Sequence, residues 1–317
     1  MRRSLFLLAA VSVLLLGAGK PKMPALKAPV MFNTPEADRI LAALQVFPPD
    51  SPWNEDVSKR PLLSNSKEMI ASIGADKALA CNLDMAFILV PGNQKRVAVK
   101  VLKYPQESDP GPFPVPENAP IECWPLDGRT LEDAQKAEER ADRHVLVVDP
   151  VNGMLHEFWQ GRRTEAGWTC SCAATFDLKT NRPRPDGWTS SDAAGLPVFP
   201  AVIRFDEVER GMVAHAMRFT VRNSRRAYVA PATHFASHKT DPDLPRMGER
   251  LRLRAGFDVA GFSPHMQAIL KGLKKHGMFV ADNGGDWRLS VAPDARIKGL
   301  DEFKRVKGSD FEVVEPR

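Results

Sequence analysis

Proline and glycine cut this chain into short pieces, and that limits its fold more than any other feature. There are 27 prolines and 21 glycines among 317 residues. The runs between them are mostly short, β-favouring and bounded by turn residues. HVLVVD (residues 144–149) and MLHEFW (residues 154–159) flank Pro150-Val151-Asn152-Gly153 and predict a hairpin. DMAFILV (residues 84–90) and VAVKVL (residues 97–102) flank Pro-Gly-Asn. VFPAVIRF, MVAHAMRFTV and AYVAPATHF add three further strand-like runs between residues 198 and 235. In LRLRAGFDV the alternation places Leu251, Leu253, Ala255, Phe257 and Val259 inward, with Arg252 and Arg254 outward. MFVA, the turn Asp282-Asn283-Gly284-Gly285 and WRLSV suggest another turn and return, and FEVV (residues 311–314) a closing strand.

Helical periodicity is scarcer. Residues 34–46 open with Thr-Pro-Glu and read as a capped helix, and residues 64–74 as a short one ending at glycine. Residues 263–277 carry an apolar stripe of Met266, Ile269, Leu270 and Leu273. TLEDAQKAEERAD (residues 130–142) is helical but almost wholly polar, which predicts an exposed insertion. Many short strands with few helices predict a mainly β fold, an antiparallel β-sandwich or jelly roll with peripheral helices. An α+β fold is the alternative.

The N-terminus reads as an export signal. Arg2 and Arg3 precede the apolar run LFLLAAVSVLLLGAG, which ends in small residues. The expected division is a signal peptide over residues 1–19, a Pro/Lys-rich leader over 20–33 and one β-rich domain over 34–317. The expected location is secreted or periplasmic, with no membrane span after cleavage. Loss of Arg2 and Arg3 lowers the formal charge from +5 to +3. The basic residues are dispersed rather than banded, so nucleic acid is not an expected partner. Cys81, Cys123, Cys170 and Cys172 form an even set, which in an exported chain suggests disulfides with three possible pairings. Cys170 and Cys172 face the same side of a strand, where a direct bridge is strained.

ADRHVLVVD, GWTSSDAAGLPVFPAVIRFDEVERGMVAHAMRF, PATHFASH, RMGERLRLRAGFD and GMFVADNGGDW together resemble a family of secreted bacterial proteins that is itself uncharacterised. The resemblance covers residues 46–315. It implies an exported single-domain protein and transfers no catalytic residue. The G-x-S-x-G, H-E-x-x-H and P-loop motifs are not found in the chain.

Residues 186–238 concentrate the groups that acid–base chemistry uses. Asp192 lies in a small-residue loop, and Glu207 follows a strand-like run. These two are the expected carboxylate pair. His215 and His234 are expected to move protons or position substrate, and Arg218 to hold an anionic group. Trp188, Tyr228, His238, Asp282, Asp286 and Trp287 are expected to bind substrate, since exposed aromatics stack on sugar rings. Trp159 and Trp168 are further aromatic candidates near predicted turns. No cofactor is required, although His215, His234 and His238 raise the option of a divalent metal.

The expected function is therefore a carbohydrate-active enzyme, hydrolase or lyase, acting on an extracellular or cell-wall polysaccharide. The alternative is a non-catalytic module that binds a glycan or the cell envelope.

Overall fold

A computed structural model describes residues 21–138 and 141–317. The expected signal peptide lies outside the described residues. Among these residues fourteen strands form. They are β1 (Val30–Met31), β2 (Ala80–Leu83), β3 (Phe87–Leu89), β4 (Val99–Val101), β5 (Val145–Asp149), β6 (Met154–Trp159), β7 (Arg162–Thr164), β8 (Gly167–Cys170), β9 (Cys172–Asp177), β10 (Met217–Val221), β11 (Arg250–Leu253), β12 (Met278–Asn283), β13 (Arg288–Val291) and β14 (Phe311–Val313). The α-helices are α1 (Pro35–Ala43), α2 (Ser66–Ile73), α3 (Leu131–Lys136), α4 (Phe205–Glu209) and α5 (Pro264–Lys275). No helix among the described residues is long and apolar enough to cross a membrane.

The strands build three open sheets, in the orders β1-β3-β5-β6-β9, β14-β11-β12-β10-β13-β2 and β4-β8-β7. The fold is β-rich, as the turn density predicts, but its sheets are mixed. Strands β3/β5, β10/β12, β13/β2 and β4/β8 run parallel. The β5/β6 hairpin forms as expected, with Asp149 opposite Met154.

The five-stranded sheet is buried on both faces. Phe87, Leu89, Leu146, Val148 and Leu155 enter the main core, while Ile88, Val145, Val147 and Phe158 enter a second core. That second core also takes Trp168 and Cys170 of β8. In β3 and β5 period-two alternation of consecutive apolar residues sends successive side chains into the two cores.

Several local expectations change for identifiable reasons. VFPAVIRF is not a strand, because its backbone bonds are diverted. Val198 and Phe199 donate their amides to the buried Glu157 carboxylate, and a short 3₁₀ turn and α4 follow. Strands β12 and β13 do not pair with each other, since β10 lies between them. All five residues of β10 are buried, so it belongs inside the sheet. Arg252 is buried rather than outward, its guanidinium held by the carbonyls of Val57 and Arg60 and by Glu312. Among the described residues of the polar insertion, which leave out 139 and 140, the helix is α3, where Ala134 and Gln135 are buried. All four cysteines are free thiols rather than disulfides. Within the leader Val30 and Phe32 are buried, and β1 joins the five-stranded sheet.

A loop over residues 186–198 ties two sheets together. Arg218 of β10 grips Asp192 through both oxygens, Nε to Oδ2 at 2.9 Å and Nη2 to Oδ1 at 2.7 Å. The Ser191 hydroxyl donates to Glu157 of β6 at 2.9 Å. The Ser191 carbonyl accepts from His144 Nε2 at 2.8 Å, just before β5. Gly195 sits at φ +71°, where an added Cβ would meet Thr233 Oγ1 at 2.1 Å and the Trp188 carbonyl at 2.6 Å. Only glycine allows that approach.

Arg218→Met would leave the Asp192 carboxylate buried without its cation. A loss of about 3–5 kcal/mol of folding stability is expected, read by urea denaturation. A loss below about 1 kcal/mol, the range of exposed pairs, would contradict this role for the pair.

Candidate active site

The clamped loop forms one wall of a cavity of about 240 Å³. Thr189, Ser190, Ser191 and Ala193 supply that wall. Tyr104, Asp142, Trp159, His234, Asp282 and Asn283 supply much of the remainder. Strand β6 delivers Trp159 at its last position, and β12 delivers Asp282 next to its end.

His234 is held in one tautomer. Its Nδ1 lies 2.9 Å from the Ala193 carbonyl, which can only accept, so the proton sits on Nδ1. In the neutral ring Nε2 is then the acceptor nitrogen. Asp282 lies half-buried on the same cavity, its Oδ1 accepting from the Asn283 amide at 2.6 Å. Desolvation, reinforced by the Asp192 carboxylate, pushes its acid up to about 7 despite the Arg218 guanidinium. It therefore holds a proton through mildly acid conditions. Asp142 takes the Trp159 indole N–H at 3.0 Å, which fixes both side chains. Tyr104 packs at a tilt against Trp159, with ring centroids 6.0 Å apart.

Behind the cavity lies a layer of buried charge. Burial alone would lower the His144 acid, but the Glu122 carboxylate, 2.9 Å from Nδ1, overrides it and raises it to about 10. Asp84 is pushed up to about 7, first by burial and then by Glu122, and its Oδ1 has no hydrogen-bond partner. Burial also raises Glu157, against bonds from Phe199, Val198 and Ser191.

The structure separates the residues expected to act together. His234 and Asp282 line the cavity, whereas Asp192 and Arg218 stand behind it. Asp192 is wholly buried with both oxygens bound to Arg218, so it cannot serve as an acid or base toward substrate. Arg218 is likewise sealed, its remaining nitrogen bonded to Ser290, and cannot hold an anionic substrate.

Glu207 and His215 line a different cavity, of about 640 Å³, beside Arg204 and Arg210. Arg204 and His215 both bond Glu207 Oε2 at 2.9 Å. Although burial would raise it, the Arg204 guanidinium and His215 hold this carboxyl down at about 2. His215 Nδ1 faces the Ala216 carbonyl at 2.9 Å. Both His215 nitrogens are thus engaged, and Glu207 does not pair with Asp192 in one cleft.

The expected substrate-binding residues also disperse. Trp188 packs under the Arg184 guanidinium beside another groove, 5.4 Å from it. Tyr228 donates its hydroxyl to Asp186 at 2.7 Å, and His238 is exposed. Asp286 accepts from the Arg222 amide and Lys77, each at 2.7 Å, in a turn and ion-pair role. Trp287 is fully buried between Phe219 and Phe311, with its N–H on the Gly74 carbonyl, so it packs the core and offers no open face. Among the described residues no group of three or more His, Cys, Asp or Glu side chains is placed to hold a metal.

Sequence reasoning overlooked Tyr104 and Asp142, and marked Thr189–Ser191 only as part of the small-residue loop around Asp192. Tyr104 stands just before Pro105 and Asp142 ends the polar insertion, so neither bears a local signal. Neither protein-family models, nor curated proteins, nor solved structures show a match to this chain.

The buried acids make stability depend on pH with a definite sign. Asp84 and Asp282 have folded values of about 7 against an ordinary 3.8. Between those values these two acids hold more protons folded than unfolded, so their contribution to stability falls as pH rises from about 4 through about 7, while His156 and His276, lowered by burial to about 4 against an ordinary 6.5, contribute with the opposite sign. Asp84→Asn removes one contributor. The melting temperature of this variant relative to the parent should rise as pH goes from about 4 to about 7; a difference that stays constant across that window would show that Asp84 does not contribute.

Proposed function

We propose that this protein is a secreted or periplasmic carbohydrate-active enzyme whose active site is the Asp282–His234 cavity. One observation carries the reading. A desolvated carboxyl and an imidazole with a free nitrogen share a cavity with a Trp–Tyr pair and a second carboxylate. Glycan cleavage calls for a protonated acid at the leaving oxygen, an acceptor for a second proton and an apolar surface for the sugar ring. Asp282 is the acid. His234 Nε2 and Asp142 are the acceptors, and Trp159 with Tyr104 the surface. The packing of the five-stranded sheet between two cores supports a sandwich-like layering beneath the site.

The second reading is a glycan-binding module without turnover. It draws on the Trp159–Tyr104 pair alone and leaves the desolvated acid unused.

Turnover separates the two. The mature protein should release new chain ends from at least one extracellular or cell-wall polysaccharide. Asp282→Asn should lower kcat about a hundred-fold or more while polymer retention changes little. Retention without new ends in the parent protein would favour the binding module. Equal turnover in parent and variant would remove Asp282 from the mechanism.

A further inference from the structure

The Asp282–His234 cavity houses only part of a chain substrate. At about 240 Å³ it falls below the ~300–1,000 Å³ of ordinary ligand pockets. A groove of about 430 Å³ adjoins it. Three pairs of consecutive residues divide between the two: Tyr104, Asp142 and Trp159 line the cavity, while Lys103, Arg143 and Gln160 line the groove. These pairs are tied into one ridge. The Gln160 amide donates to the Asp142 carbonyl at 2.7 Å, and Ser171 joins Trp159 and Tyr104 through backbone bonds of 2.7 and 2.9 Å. Lys103 crosses the ridge, its Nζ 5.1 Å from the Trp159 ring centroid and 2.8 Å from Gln160 Oε1. Arg143 and Gln160 both hold left-handed backbone, at φ +48° and +54°. Residues with a side chain adopt it rarely, and such strain gathers at active sites and ligand clamps.

We infer that the groove is an outer subsite, which receives the glycan chain beyond the unit held in the cavity, so that the protein acts on polymers and long oligomers in preference to disaccharides. The inference rests on the catalytic reading above. A chain leaving the cavity has only one row of residues to cross. Tyr104 and Leu102, 38% and 56% exposed, carry an apolar surface from the cavity into the groove, where sugar rings can stack or pack. Beyond it the groove is polar. Gln160 is fixed there, its Oε1 accepting from Lys103 Nζ and, at 2.7 Å, from the Ser171 hydroxyl. Thr169 and Arg162 line the same groove, and side chains of these kinds hydrogen-bond sugar hydroxyls. Contacts made there lie away from the bond that breaks. Binding energy from such remote contacts orients the reacting unit, so a truncated substrate loses kcat as well as affinity.

The test uses three oligomer series, of glucose, N-acetylglucosamine and galacturonate, each from disaccharide to octasaccharide, with the full mature protein. In whichever series is cleaved, kcat/KM should rise at least about ten-fold from disaccharide to hexasaccharide and then level off. Two variants probe the groove. Thr169→Trp places an indole in it, and Lys103→Ala removes an exposed side chain from its rim. Lowering of the long-to-short ratio by either variant is the expected result, and that ratio, taken within one preparation, is not moved by loss of folded protein. Equal kcat/KM at every length, or a ratio that neither variant lowers, would overturn the inference while leaving the catalytic reading intact. Absence of cleavage in all three series would overturn both.

Discussion

The Asp192–Arg218 pair is the constraint on which the rest of the site depends. Both partners are almost wholly removed from water, and the contact is bidentate. Desolvating two ions is costly, so such a pair persists only where its geometry is good and the spare valences are filled. Here Ser290 fills the third guanidinium nitrogen, and the Asp192 amide is taken by the Ser190 hydroxyl at 2.9 Å. The consequence is positional. A loop that would otherwise wander between two sheets is fixed to β10 by Asp192, and to β6 and the start of β5 by Ser191. The inner wall of the cavity is that loop.

The same burial creates the chemistry. Asp282 sits where one neighbouring carboxylate repels its charge and water is scarce, so its proton is retained. Arg218 opposes the shift without cancelling it, because Asp192 already neutralises most of its charge. His234 gains its reactive form from the Ala193 carbonyl, one residue beyond Asp192. The loop held by this ion pair thus shares one cavity with a proton-bearing carboxyl and an imidazole. The His144–Glu122 pair is a second clamp on the same loop. Its raised imidazolium donates to both the Glu122 carboxylate and the Ser191 carbonyl through neutral pH.

How much of this was legible varies with how local the cause is. The β5/β6 hairpin and helices α1 and α5 follow from turn chemistry, capping and periodicity, and they form where those signals lie. The stripe Met266, Ile269, Leu270 and Leu273 is wholly buried, as its spacing requires. The failures have non-local causes. VFPAVIRF reads as a strand until Glu157, about forty residues earlier, captures its amides. Arg252 reads as an outward residue until carbonyls from residues 57 and 60 receive it. Trp287 reads as a turn-edge aromatic, yet two phenyl rings enclose it. Of the expected catalytic set only His234 lines the proposed site, joined by Asp282 from the expected binders. The cavity gathers residues from position 104 to position 283, and a single window of sequence cannot display that convergence.

Asp282 remains a protonated acid close to neutral pH because burial desolvates it and the neighbouring Asp192 carboxylate repels its charge. Carbon NMR of the protein labelled at its aspartate carboxyls tests this directly, with the Asp282 signal assigned by its loss in Asp282→Asn. The account predicts a titration midpoint of about 7. A midpoint near the ordinary 3.8 would show a solvated surface carboxylate and would contradict the account.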